Sequence, residues 1–95
     1  MIYENLLLTV KHETDIDQIR DLLTQQGVLS REEPGCARFE VYQSQAEPQL
    51  FMLIERWETA NDLSAYRKAK AFREIFEPLV LPLVDRTAHT SELLE

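Results

Sequence analysis

The stretch 50-LFMLIERWETANDL-63 decides the fold, because it opens with five consecutive apolar residues and closes with a polar turn. Successive side chains of a β-strand point to opposite faces of the sheet. A strand in which both sets of side chains are apolar must be covered on both faces. The sequence therefore predicts a strand over residues 50–57 with apolar surface on both sides.

Two more strands and a first helix precede this stretch. Residues 1-MIYENLLLTVK-11 and 36-CARFEVYQS-44 are rich in strand-forming residues and bounded by turn residues. Thr14, with Asp17 three residues later, fits a capping box that would open a helix. Apolar residues then recur at helical spacing as far as Gly27, which suits the end of a helix.

A second helical region and a last strand follow. Thr59 with Asp62 repeats the capping-box pattern and predicts a helix through Tyr66. A further helical piece lies within 71-AFREIFEPLV-80, and the tail 84-VDRTAHTSELLE-95 alternates loosely, as a strand does. The order β-α-β-β-α-β predicts an α+β fold of the ferredoxin-like type, a four-stranded antiparallel sheet with its helices on one face.

The other face of that sheet would be bare. Strand one, with Leu6, Leu7 and Leu8 in succession, is apolar on both sides like strand three. Large apolar side chains left in water each forgo about 1.5–3 kcal/mol of burial, which favours association. We therefore expect a homodimer that packs sheet against sheet.

Length, composition and charge limit the classes of protein to which this chain can belong. The chain has 95 residues, which we expect to form a single domain over 1–95, and it is 44% hydrophobic and 28% charged. A net charge of -7 argues against nucleic-acid partners and against an anionic membrane surface. No apolar run could span a membrane and no signal peptide is evident, so we expect a cytoplasmic protein. The single cysteine, Cys36, cannot form an internal disulfide.

Several familiar functional patterns are missing from the sequence. It has no Ser-His-Asp set, no Gly-rich phosphate loop and no CxxC pair, which leaves hydrolase, nucleotide-binding and thiol-redox functions without support. His12 and His89 have no second ligand at a metal-binding spacing, so no metal site is predicted. The basic cluster Arg67, Lys68 and Lys70 is interpreted as a solvated helix face.

Three segments resemble a known family. The combination of 33-EPGCARFEVY-42, 52-MLIERWETANDLSAY-66 and Phe72 resembles the antibiotic biosynthesis monooxygenase family of small dimeric α+β barrels. The resemblance implies a pocket between sheet and helices in each subunit. It also implies oxygenation of small phenols or quinols by dioxygen without metal, flavin or haem, because an ionised phenol can itself pass an electron to dioxygen.

The resemblance also suggests site residues. Trp57 matches the tryptophan of the family's Glu-x-Trp pattern, and strand periodicity puts Glu55 on the same side of the sheet. Asn5 matches an asparagine used by haem-degrading relatives. Tyr66 and Ala71 stand where the commonest form of the helix has histidines, so the phenol of Tyr66 is the available replacement.

We therefore predict a catalytic set and a substrate-binding set. The catalytic set is Trp57, Asn5, Tyr66 and Glu55, and the substrate-binding set is Phe51, Leu53, Leu63, Phe72 and Phe76. The catalytic residues also have structural alternatives: core packing for Trp57 and Tyr66, a backbone hydrogen bond for Asn5, and an ion pair with Arg56 or Arg38 for Glu55. Alternative functions are a non-catalytic ligand-binding dimer and haem degradation, the latter resting on Asn5 alone.

Overall fold

Four antiparallel strands form a single sheet. The computed structural model describes residues 1–95, and the sheet has the strand order β2-β3-β1-β4. The strands are β1 (Ile2–Val10), β2 (Cys36–Gln43), β3 (Leu50–Trp57) and β4 (Val84–Ser91). This order places the two most apolar strands, β1 and β3, at the centre of the sheet.

Three helices cover one face of the sheet. They are α1 (Ile16–Arg31), α2 (Ala60–Tyr66) and a π-helix over Ala71–Val80, with short 3₁₀ turns at Glu13–Asp15 and Leu81–Leu83. The arrangement confirms the predicted ferredoxin-like fold with helices on one face. No helix has the length and apolar character needed to cross a membrane.

The burial pattern of β3 confirms that both of its sides are apolar. Phe51, Leu53, Glu55 and Trp57 are buried beneath the helices, while the intervening side chains are only half buried. Those intervening side chains point to the face that carries no helix, which we call the open face. Apolar side chains there include Leu7, which is 40% exposed.

Both predicted boundaries of α1 are wrong. Thr14 lies in the 3₁₀ turn before α1 and does not cap it, and the helix continues four residues past Gly27 to Arg31. Gly27 is buried inside the helix, where a Cβ atom would lie 3.4 Å from Val41 and 3.9 Å from Phe39 of β2. These are ordinary van der Waals distances, so the packing of α1 on β2 leaves room for a Cβ atom, and Gly27 does not end the helix.

The second helical region begins where the sequence predicts, but its later part is a π-helix. The Thr59 hydroxyl accepts a hydrogen bond of 3.1 Å from the backbone N–H of Asp62, as the capping pattern predicts. Residues 71–80 form a π-helix, whose end is marked by the N–H of Leu81 donating to the carbonyl of Phe76, five residues earlier. In an α-helix the ring of Pro78 would collide with the carbonyl four residues before it, and the wider π turns relieve that collision.

Gly35 lies in the turn before β2 and packs against the segment that leads into α2. Gly35 has φ of +79°, a left-handed conformation that favours glycine, and its carbonyl accepts a hydrogen bond of 2.8 Å from the N–H of Glu58. A Cβ atom at Gly35 would lie 2.1 Å from the Asp62 side chain. Both backbone conformation and space therefore require glycine here.

We predict opposite results for alanine at the two glycines. Gly35→Ala should lower the free energy of unfolding by about 1–3 kcal/mol, because it strains the backbone and displaces Asp62. Gly27→Ala meets only ordinary contacts and removes a glycine from a helix, so it should be neutral or stabilising by up to about 1 kcal/mol. Urea unfolding of both variants at one protein concentration measures this, and equal losses would contradict the structure.

Candidate active site

A cavity lies between the helix-covered face of the sheet and the segment that joins α2 to the π-helix. The centre of a water-sized group can lie within about 20 Å³ of this cavity, and the whole depression out to solvent measures about 320 Å³. The cavity is lined by Glu4, Leu6, Gln26, Glu55, Leu63, Tyr66, Arg67, Phe72, Phe76 and Arg86.

Two carboxyl groups form the inner wall of this cavity. Glu4 of β1 and Glu55 of β3 are direct partners in the strand pairing, and each is only 5% exposed. Side chains of directly paired residues have Cβ atoms about 4.5–5.5 Å apart. Glu4 accepts a hydrogen bond from the hydroxyl of Thr90, and Glu55 accepts one of 3.0 Å from the indole Nε1 of Trp57.

Burial has the largest effect on the pKa of Glu55. Loss of hydration raises the pKa of Glu55 to about 7, against the lowering effect of the Trp57 hydrogen bond. The nearby carboxylate of Glu4 raises this pKa further, while the charges of Arg67 and Arg86 lower it. The predicted ion pair of Glu55 with Arg56 or Arg38 is absent, since the one ion pair of the structure joins Arg38 to Glu40. Glu55 can therefore take up or release a proton near neutral pH.

A buried polar cluster lies beside the carboxyl pair. Gln26 Nε2 donates to the hydroxyl of Tyr66 at 3.0 Å, and the Ser30 hydroxyl lies 2.8 Å from the same oxygen. The ring of Tyr66 packs on the indole of Trp57 with centroids 4.4 Å apart. Burial raises the pKa of Tyr66 despite the opposing effect of these hydrogen bonds, so the phenol is neutral at physiological pH and supplies no base.

One polar atom in this cluster has no partner. The side-chain oxygen of Gln26, a residue that is 1% exposed, accepts no hydrogen bond although it belongs to the cavity lining. Buried acceptors of this kind are rare in folded proteins and cost free energy when unpaired. A ligand that brings an O–H or N–H into the cavity would therefore gain a hydrogen bond here.

The structure brings most of the predicted site residues together. Glu55, Tyr66, Leu63, Phe72 and Phe76 all line the cavity. Trp57, fully buried, lies immediately behind them through its hydrogen bond to Glu55 and its contact with Tyr66.

Three predicted site residues lie elsewhere. Asn5 points to the open face, where its amide donates to Ser91 at 3.0 Å and accepts from Arg56 at 3.0 Å, so its partners are side chains and not the backbone groups expected. Leu53 is buried in the core without reaching the cavity, and Phe51 lines a separate groove of about 220 Å³ beside α1.

The sequence-based interpretation missed five residues of the cavity lining. Glu4 and Leu6 alternate with the more exposed side chains of β1, and Gln26 continues the helical spacing of the buried side chains of α1, so these three positions carried a periodic signal. The remaining two, Arg67 and Arg86, come from separate elements and had no local signal.

Side chains that could ligate a metal are sparse. Besides Glu4 and Glu55, the cavity lining contains no carboxylate, histidine or cysteine. No group of three or more such side chains converges anywhere in the structure.

Comparisons with known proteins identify one family. The family model described as antibiotic biosynthesis monooxygenase matches residues 1–78. A solved structure named as an antibiotic biosynthesis monooxygenase is similar with a TM-score of 0.90 and 22% identity, each chain being covered over 100% of its length. No curated protein sequence matches the chain.

Two further solved structures share the fold. A conserved protein of unknown function from Bacteroides thetaiotaomicron has a TM-score of 0.88 and 23% identity, over 97% of this chain and 96% of that one. The Mycobacterium tuberculosis protein Rv0793 has a TM-score of 0.82 and 20% identity, over 100% of this chain and 98% of that one. At these identities the likeness shows the fold alone.

We predict that Glu55 makes stability depend on pH. Because its pKa is raised in the folded state, the folded protein binds a proton that the unfolded chain has released, and stability falls as pH rises from about 4.5 to about 7. Glu55→Gln removes this loss, so relative to the natural protein it should gain about 1–3 kcal/mol across that range. Urea unfolding at a series of pH values measures the difference.

Glu58→Gln is the matched control, because Glu58 is exposed just beyond the same strand. We expect no comparable gain for it. A stability difference between Glu55→Gln and the natural protein that stays constant across the range would contradict the buried carboxyl.

Proposed function

Because the chain belongs to the antibiotic biosynthesis monooxygenase family, we propose that it is a cofactor-independent monooxygenase that oxidises a small phenol or quinol with dioxygen. The observation that carries this proposal is the buried Glu55 carboxyl, which lines the cavity and has a pKa of about 7. A base with a pKa near the working pH is well suited to proton transfer.

The proposed reaction begins with a proton transfer. The substrate hydroxyl donates its proton to the Glu55 carboxylate, and the resulting electron-rich anion passes one electron to dioxygen. Recombination of the two radicals forms a carbon–oxygen bond, and cleavage of the oxygen–oxygen bond then releases water. One oxygen atom stays on the substrate and the other leaves in that water with two substrate hydrogens, so the substrate supplies all the electrons.

The other residues orient and protect this step. The indole of Trp57 fixes one oxygen of Glu55, which leaves the second oxygen free for the substrate. The unpaired oxygen of Gln26 provides a second acceptor for a hydroxyl group. Phe72 and Phe76, whose rings lie 5.4 Å apart, form an aromatic wall that excludes water.

The size of the cavity favours a second candidate function. The space open to the centres of water-sized groups, about 20 Å³, suits a hydroxyl group better than an aromatic ring, so we place the ring in the open part of the depression or in space gained by displacing Phe72. A protein that binds an aromatic ligand at this opening without oxidising it fits the same geometry. Oxygen consumption separates the two candidates.

We predict protein-dependent oxygen uptake with one or more members of a panel of hydroquinones, naphthols and anthrones. The uptake rate should rise with pH and level off above about 7, as Glu55 loses its proton. Glu55→Gln should lower kcat by about 100-fold or more, the usual contribution of a general base. Trp57→Phe removes the hydrogen bond that lowers the pKa of Glu55, so its pH profile should move to higher pH.

Glu58→Gln serves again as the control and should turn over normally. Circular dichroism of each variant establishes that the fold is intact. Absence of uptake over the whole panel by folded protein would contradict the monooxygenase proposal, and saturable binding of the same compounds without uptake would favour the binding protein.

We also infer a homodimer through the open face. Apolar side chains of the two central strands meet there: Leu7 of β1 pairs with Met52 of β3, and Ile54 lies on the same face. Tyr42 of β2 extends this surface and is 45% exposed. Covering such a surface is favourable at about 25 cal/mol per Å² of apolar area.

We predict that sedimentation at micromolar concentration gives a dimer. Leu7→Glu places a charge in the middle of the open face and should give a monomer that remains folded. Val28→Glu alters an equally accessible apolar residue, 50% exposed on α1, and should remain dimeric. A monomeric natural protein, or loss of the dimer in Val28→Glu alone, would contradict this interface.

A further inference from the structure

The rim of the cavity is basic although the protein is acidic. Arg67 follows α2 and Arg86 lies on β4, and both are exposed while lining the same cavity whose inner wall is formed by two carboxyl groups. The chain carries a net charge of -7, yet the lining of this cavity holds as many arginines as carboxyl groups, and the arginines are its exposed members. Neither guanidinium has a carboxylate within ion-pairing distance, because the only ion pair joins Arg38 and Glu40.

The inner wall of the cavity favours a hydrogen-bond donor over an anion. Glu4 and Glu55 repel an anion, whereas Glu55 and the unpaired oxygen of Gln26 accept hydrogen bonds. The space open to the centres of water-sized groups, about 20 Å³, suits a hydroxyl group. A ligand that satisfies both ends is therefore a donor at its inner end and an anion at its outer end.

We infer that the substrate is a hydroxylated aromatic that also carries a carboxylate, with the carboxylate between Arg67 and Arg86 and the hydroxyl directed at Glu55 and Gln26. This inference rests on the proposed function, because it names the substrate class of the same site. Arginine suits the outer end, since its planar guanidinium matches the geometry of a carboxylate. The carboxyl pair repels the anion from the inner end, so the charge pattern selects one orientation of the substrate.

Calorimetric titration without oxygen tests the inference separately from turnover. Gentisate, a hydroquinone with one carboxylate, should bind more tightly than its neutral methyl ester. Each of Arg67→Gln and Arg86→Gln should weaken gentisate binding by about twofold to fivefold, as expected for exposed charge pairs, and added salt should reduce the preference. The double variant should bind acid and ester equally.

Lys68→Gln is the matched control, because it removes one charge from the same segment at a residue outside the cavity lining. It should retain the preference for gentisate. Equal affinity for acid and ester, no binding of either, or an equal loss in Lys68→Gln would overturn the inference.

The two proposals fail in different ways. Oxygen uptake with neutral hydroquinones, without a preference for the carboxylate, would overturn the substrate class and leave the monooxygenase standing. Preferential binding of gentisate without oxygen uptake would support the substrate class and contradict the monooxygenase.

Discussion

The pairing of β1 with β3 determines the position of both the cavity and the proposed dimer surface. Its register places Glu4 opposite Glu55 under the helices and Leu7 opposite Met52 on the open face. Side chains alternate along each strand, so a slip of one residue would turn the buried side chains of the slipped strand, including its carboxyl group, to the open face and separate the pair. The cavity and the proposed dimer surface are therefore two consequences of one register.

Burial of the Glu4–Glu55 carboxyl pair lowers the stability of the folded state, and the surrounding groups offset this loss only in part. Trp57 and Thr90 each donate one hydrogen bond, yet no cation approaches Glu4 or Glu55 closely enough to form an ion pair. A nearby cation would hold Glu55 ionised and abolish its titration near neutral pH. The two arginines at the rim moderate the pKa of Glu55 without removing this property. A perturbed carboxyl beside a cavity is characteristic of functional sites.

The sequence was informative where one element determines its own pattern. The two-residue period of β3 placed Glu55 and Trp57 on one face, and the Thr59 cap located the start of α2. The end of α1 was misplaced because a glycine is tolerated inside a helix that packs on the sheet, so Gly27 alone does not mark the end. Asn5 was assigned to the site by the family resemblance, whereas the period of β1 places it on the face opposite to Leu6 and Leu8.

Among the aromatic side chains that line the cavity, Phe72 is the least buried, so we expect a ligand to enter beside it. Tyr66 and Phe76 are each 2% exposed, so moving either would open the core and lose its packing. Phe72 is only half buried and stands at the beginning of the π-helix, next to the largely exposed segment 67–70. Phe72 lines the same cavity as the two exposed arginines and the buried carboxyl pair. A ligand that enters by displacing Phe72 passes from the exposed, basic part of this lining to its buried, acidic part, so an anionic group is favoured near solvent.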